Sequence, residues 1–200
     1  MSGPLDFRKS PADDPAPRGE SPWYVEWFLP VESETGPVYF GGRVVFAVLL
    51  ALYTWKLARA PLSGMTIMGA WIHLVNLPFH EAGHIFFRPL GRLWTSAGGS
   101  IMQLLVPLVI LVAFLWKMRN GFGAAVAFWW FGQNFVDLAP YINDARAMTL
   151  PLIGGNTGQT APYGFHDWNF ILTELNMVHR DQSLARGAFS AGVVIMVLAL

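Results

Sequence analysis

Residues 79–84 read Phe-His-Glu-Ala-Gly-His, so His80, Glu81 and His84 form an H-E-x-x-H pattern. Side chains four apart share one face of an α-helix, which lets His80 and His84 present both imidazoles to one metal ion. Glu81, beside the first of them, is placed to act as a general base on water at that metal. The chemistry this spacing supports is zinc-dependent hydrolysis.

The setting sharpens the motif. Between Glu34 and Asp137 the only acid is Glu81, and residues 67–87 are otherwise almost wholly apolar. An ionisable cluster in such a segment is costly and marks a functional site by default. Without a metal, the same residues would pack as two interhelical histidines with Glu81 paired to a basic neighbour such as Arg88.

The elements that must position these groups follow from composition. Of 200 residues, 54% are hydrophobic and 13% charged, with nine Trp and fifteen Phe. A soluble domain carries about 25% charged residues, so the expected fold is an all-α polytopic membrane protein. The formal net charge is zero, which removes the electrostatic case for a nucleic-acid partner. There is no cysteine, so any metal must be held by His, Asp or Glu.

A membrane span needs about 20 mostly apolar residues. Five segments are expected as spans: 38–57, 65–87, 97–116, 122–138 and 187–200, the last short unless it begins near Leu184. Residues 1–37 form a separate tail with no signal-peptide core. Its first twenty residues read as disordered. Residues 21–29, with Trp23, Tyr24, Trp27 and Phe28, read as an interfacial segment or a docking strip for a partner. Residues 38–200 make one membrane-embedded domain. Pro78 should kink the second span, and Gly98-Gly99-Ser100 should let a neighbouring helix approach the third. Gln103 in that third span reads as an interhelical hydrogen-bonding residue. Pro140 should end the fourth span, leaving residues 139–162 irregular. Residues 166–186 carry a helical apolar face. Basic residues divide almost evenly between the two sides, so the positive-inside rule sets no orientation.

Catalytic zinc takes three protein ligands. Two histidines leave one to find, and the candidates are Asp137, Asp144, His166, Asp167 and His73. His73 lies two helical turns, about 10 Å, before His80 and suits a supporting role better than ligation. The acids near the end of the fourth span are better placed. His166-Asp167-Trp168 reads as a helix start, with Asp167 in the first turn where the helix dipole favours a carboxylate.

With these residues in view, the chain resembles the site-2 protease group of intramembrane zinc metallopeptidases, the M50 class. The resemblance covers roughly residues 65–155. It rests on the H-E-x-x-H helix, the Gly98-Gly99-Ser100 opening of the next span, and the stretch from Asn134 to Arg146, which partly matches the family's N-x-x-P…D-G segment. Asn134, Pro140 and Asp144 fall in the family order, with a longer spacing and Ala145 in place of the usual Gly. The resemblance implies a three-helix core, Zn2+ as cofactor, His80, His84 and Asp144 as ligands with Asp137 as rival, Glu81 as general base, and Asn134 as oxyanion donor.

It also implies the function: hydrolysis of a peptide bond in a membrane-embedded substrate helix, by a multi-pass protein of the bacterial inner membrane whose partners are other membrane helices and the lipid bilayer. The alternative is an inactive subunit of a membrane complex that keeps the fold and cuts nothing.

Overall fold

The computed structural model describes residues 36–62, 65–161 and 166–200. The expected tail and its aromatic segment at residues 21–29 lie outside them. The described chain is all-α, with no strand among these residues.

Helix α1 (Pro37–Ala58) starts on a proline, whose missing N–H is one that no helix would use. A single turn, α2 (Met65–Met68), leads to α3 (Trp71–Phe87), which carries the H-E-x-x-H residues. A short 3-10 turn, Arg88–Leu90, ends at Gly91 with φ 95°, a left-handed conformation suited to glycine, and α4 (Arg92–Trp116) follows. Helix α5 (Gly121–Asn143) is capped by Asn120, whose side chain accepts from the Gly123 N–H at 2.7 Å. Then come α6 (Asp167–Glu174), a 3-10 turn at Val178–Arg180, and α7 (Asp181–Leu198).

Two expectations shift here. Pro140 does not end the fourth helix: α5 runs through it to Asn143, and the proline is fully buried. Proline withholds one ladder bond, and the Asp144 N–H returns to the Pro140 carbonyl at 3.0 Å to close the end. The helix expected over residues 166–186 is two pieces, because the chain turns at Asn176 with φ 54°. Pro78 likewise lies inside α3.

Two helices, α1 and α4, are long and apolar enough to cross a membrane. Helix α3, with 17 residues, carries Asn76, Glu81 and three histidines, and α5 carries Gln133, Asn134 and Asp137.

The most extensive packing is α5 on α7, then α3 on α4 and α4 on α5. Small residues set two of these crossings. A Cβ on Gly83 would strike the Gly98 carbonyl oxygen, so α3 and α4 touch backbone to backbone. Gly132 and Gly192 do the same for α5 and α7: a Cβ on Gly192 would lie 2.6 Å from the Gly132 oxygen and 2.9 Å from the Val136 nitrogen. Backbone cannot yield as a side-chain end can, so Gly192→Ala should destabilise the fold by about 1–3 kcal/mol. The check is a lowered thermal midpoint of the purified chain; an unchanged midpoint would contradict the crossing.

Apolar burial collects in two clusters. One joins Leu57, Ile67, Ile72, Trp129, Val136 and Met196; the other joins Leu138, Ile142 and Ala185. Between α3 and α5, by contrast, the gap is bridged by polar side chains, and this is where the site forms.

Candidate metal centre

The helical spacing brings His80 and His84 together, with ring centroids 4.9 Å apart. Each ring is held by its Nδ1. That of His80 meets Gln103 Oε1 at 2.9 Å, and that of His84 meets the Thr95 carbonyl oxygen at 2.8 Å. Both partners are acceptors, so in the neutral rings each Nδ1 carries the proton and each Nε2 keeps a lone pair.

The acid placed beside those lone pairs is Asp167. Its Oδ2 lies 3.7 Å from His80 Nε2 and 3.4 Å from His84 Nε2. The ligand atoms of the three residues all fall within 4.8 Å of one another, so the group can hold a metal ion. Two further observations fit that use. Asp167 Oδ1 is buried with no hydrogen-bond partner among the described residues. Gly99 keeps the space beside the rings open, since a Cβ there would sit 2.5 Å from His80 Nε2 and 2.7 Å from His84 Nε2.

Asp167 arrives at this point through its helix start. His166 caps α6, its Nδ1 accepting from the Asn169 N–H at 3.2 Å, and Asp167 is the first helical residue. Burial holds the His166 imidazole below its ordinary pKa, against the pull of the Asp144 and Asp167 carboxylates, which keeps Nδ1 available as an acceptor. The Asp167 N–H donates to the Tyr141 hydroxyl at 3.1 Å, and that hydroxyl donates back to Asp167 Oδ2 at 3.1 Å. Trp168 ties the same turn to α4 through a 3.2 Å bond from its indole N–H to Ser100 Oγ. The residue read as an ordinary helix start therefore also delivers the carboxylate.

Asp144 and Asp137, ranked first and second for that position from sequence, are not brought to the histidine Nε2 atoms. Asp144 is buried at the end of α5 and closes the following loop: its Oδ1 accepts from the Thr149 N–H and hydroxyl, and its Oδ2 accepts from the Leu150 N–H. Its other neighbour is His166 Nε2, at 3.4 Å. It does not pair with Arg146, which instead donates to the buried Asp181 at 2.8 Å. Asp137 accepts from His73, Asn76 and Gln103. Asn134 is fully buried, but its amide donates to the Trp130 carbonyl one turn back in its own helix. Its Oδ1 has no hydrogen-bond partner among the described residues, and Asn134 does not line the cavity beside the histidines.

A cavity of about 520 Å³ opens onto the group, with His73, Glu81, Tyr141 and Asp167 in its walls. Its apolar walls include Leu74, Leu77, Leu152 and Ile153. Glu81 is exposed there and forms no ion pair with Arg88 or any other described residue. Sequence reasoning passed over Tyr141 and Thr95. A Tyr at the end of an apolar helix and a Thr carbonyl carry no pattern that would mark them.

Comparison of the chain with protein-family models, with curated proteins and with solved structures finds no match to any of them.

Proposed function

We propose that the chain is an intramembrane zinc metalloprotease of the site-2 protease type, cutting a peptide bond in a membrane-embedded substrate helix. One observation carries the reading: the Nε2 atoms of two histidines and a carboxylate oxygen converge beside a largely apolar cavity that Glu81 also lines. Two His and one carboxylate match the ligand set of known catalytic zinc sites. His80, His84 and Asp167 would hold the zinc, which when bound makes a water acidic near neutral pH and polarises a carbonyl.

The chain's own groups supply the remainder. Glu81 takes a proton from the water that attacks the carbonyl carbon, and hands it to the amine as the C–N bond breaks. The Tyr141 hydroxyl holds the Asp167 carboxylate in place. Leu74, Leu77, Leu152 and Ile153 give the cavity an apolar wall that receives apolar side chains.

The membrane setting has its own support. Large apolar side chains point away from the protein on α1 (Val45, Leu52, Trp55), on α3 (Ile85, Phe86) and on α7 (Val194, Val197, Leu198). In water such faces would form an aggregation-prone surface; in lipid they are ordinary. We place α1, α3, α4, α5 and α7 across the bilayer as the five expected spans.

The test is Glu81→Gln in the detergent-solubilised chain, given a pool of single-span apolar helices with cuts read by mass spectrometry. Loss of the general base should slow cleavage about 10²- to 10⁴-fold while bound zinc stays unchanged. Equal cleavage by the variant would remove Glu81 as the general base, and no cut by a zinc-loaded wild type would instead support a non-catalytic subunit of a membrane complex.

A further inference from the structure

Asp137 is 2% exposed and lies at the meeting point of three donors. Its Oδ2 accepts from Gln103 Nε2 at 2.9 Å, from Asn76 Nδ2 at 3.0 Å and from His73 Nδ1 at 3.1 Å. The surrounding amides have no freedom to turn. Asn76 accepts on its oxygen from the Trp130 indole N–H at 2.8 Å, and an indole can only donate. Asn76 must therefore turn its NH2 toward Asp137 and toward Gln133 Oε1, 2.9 Å away.

Gln103 is governed in the same way. An amide flip would exchange its donor and acceptor ends, and the two orientations have nearly the same shape. A carboxylate accepts only, so the NH2 end faces Asp137 and the oxygen faces His80 Nδ1. The polarity thus runs in one direction, from the carboxylate on α5, through the amide on α4, to the imidazole on α3.

We infer that Asp137 is a positioning residue for His80: it sets the orientation of the Gln103 amide, which holds the His80 proton on Nδ1 and leaves Nε2 as the metal-ligating atom. The inference rests on the metal site proposed above and extends it to a residue that does not touch the metal. Asp137→Asn removes the constraint. The Gln103 amide can then turn its NH2 toward Nδ1, which moves the proton to Nε2, where it blocks ligation. The swap Asp137→Asn with Gln103→Glu restores it, because residue 103 then accepts in either orientation and the total charge is conserved.

The experiment uses the full chain in detergent micelles, labelled with ¹⁵N-histidine, metal-free and at a pH where imidazoles are neutral. The His80 signal is identified by its loss in His80→Ala, and zinc affinity is measured in parallel by chelator competition. The expected result is His80 with its proton on Nδ1 in wild type and shifted toward Nε2 in Asp137→Asn. Zinc affinity should fall about ten- to a hundredfold in that variant, and both readouts should return in the swap. If Asp137→Asn does not fold, the swap decides: the proton on Nδ1 with zinc bound supports the inference.

Three results would overturn it: a wild-type His80 protonated on Nε2, an Asp137→Asn chain with tautomer and affinity unchanged, or a folded swap that recovers neither. A merely structural carboxylate would move the thermal midpoint without moving the tautomer. A wild type with the expected tautomer that binds no zinc would sink the protease reading and leave this hydrogen-bond chain standing.

Discussion

Asp167→Ala is expected to leave the purified chain without stoichiometric zinc, whereas Asp144→Ala keeps about one zinc per chain, the complement of a single three-ligand site. The two acids look alike in composition and both are buried, but their oxygens face different partners. Asp167 Oδ2 is within 3.7 Å of both histidine Nε2 atoms. Asp144 has its oxygens turned to Thr149 and Leu150. Removing Asp167 reduces the site to two imidazoles. Removing Asp144 loosens the loop after α5, by about 1 kcal/mol for each hydrogen bond lost, and leaves the ligands in place. Metal analysis of detergent-purified wild type, Asp167→Ala, Asp144→Ala and His80→Ala decides the matter. Zinc retained in Asp167→Ala and lost in Asp144→Ala would restore the assignment that the family resemblance favours.

Why the sequence ranks these acids in the opposite order is instructive. Helical geometry fixes residues four apart, so the pairing of His80 with His84 could be read directly. That a helix would come close to α4 could also be read from Gly98-Gly99-Ser100, and it is α3 that does so, with Gly83 against the Gly98 carbonyl. The third acid is a long-range matter. Local chemistry places Asp167 correctly in the first turn of α6. Where that carboxylate points depends on the Tyr141 hydroxyl and on the Trp168 contact with Ser100, and neither leaves a trace in spacing.

The polar residues of α5 show the same boundary. Asn134 and Asp137 stand three apart near the end of one apolar helix. Asn134 donates from its amide nitrogen to its own helix, and Asp137 faces across to α3 and α4. Composition marks both as costly to bury, but only the packing of neighbouring helices separates an amide turned to its own helix from a network centre. Pro140 is the converse case. Its punctuation value is real in isolated sequence, yet a packed helix tolerates one missing bond and carries Tyr141 forward to the site.

Gly99→Ala should weaken zinc binding sharply although it adds one methyl group and removes no ligand. The new Cβ would lie 2.5 Å from His80 Nε2 and 2.7 Å from His84 Nε2, closer than carbon and nitrogen can stand. Flexible side chains could swing away, but these two are pinned, His80 by Gln103 at 2.9 Å and His84 by the Thr95 carbonyl at 2.8 Å. Either the rings rotate and lose those bonds, or α4 backs away from α3 and opens the crossing of Gly83 with Gly98. Both routes cost about 1–3 kcal/mol of stability, and both misplace the lone pairs. Zinc affinity should fall by about a hundredfold or more, above the usual penalty for losing a supporting contact. Gly192→Ala is the control, since it strains a backbone crossing away from the histidines and should keep its zinc. If Gly99→Ala bound zinc as tightly as wild type, the ion would have to lie elsewhere, and the assignment of His80, His84 and Asp167 as one site would fall.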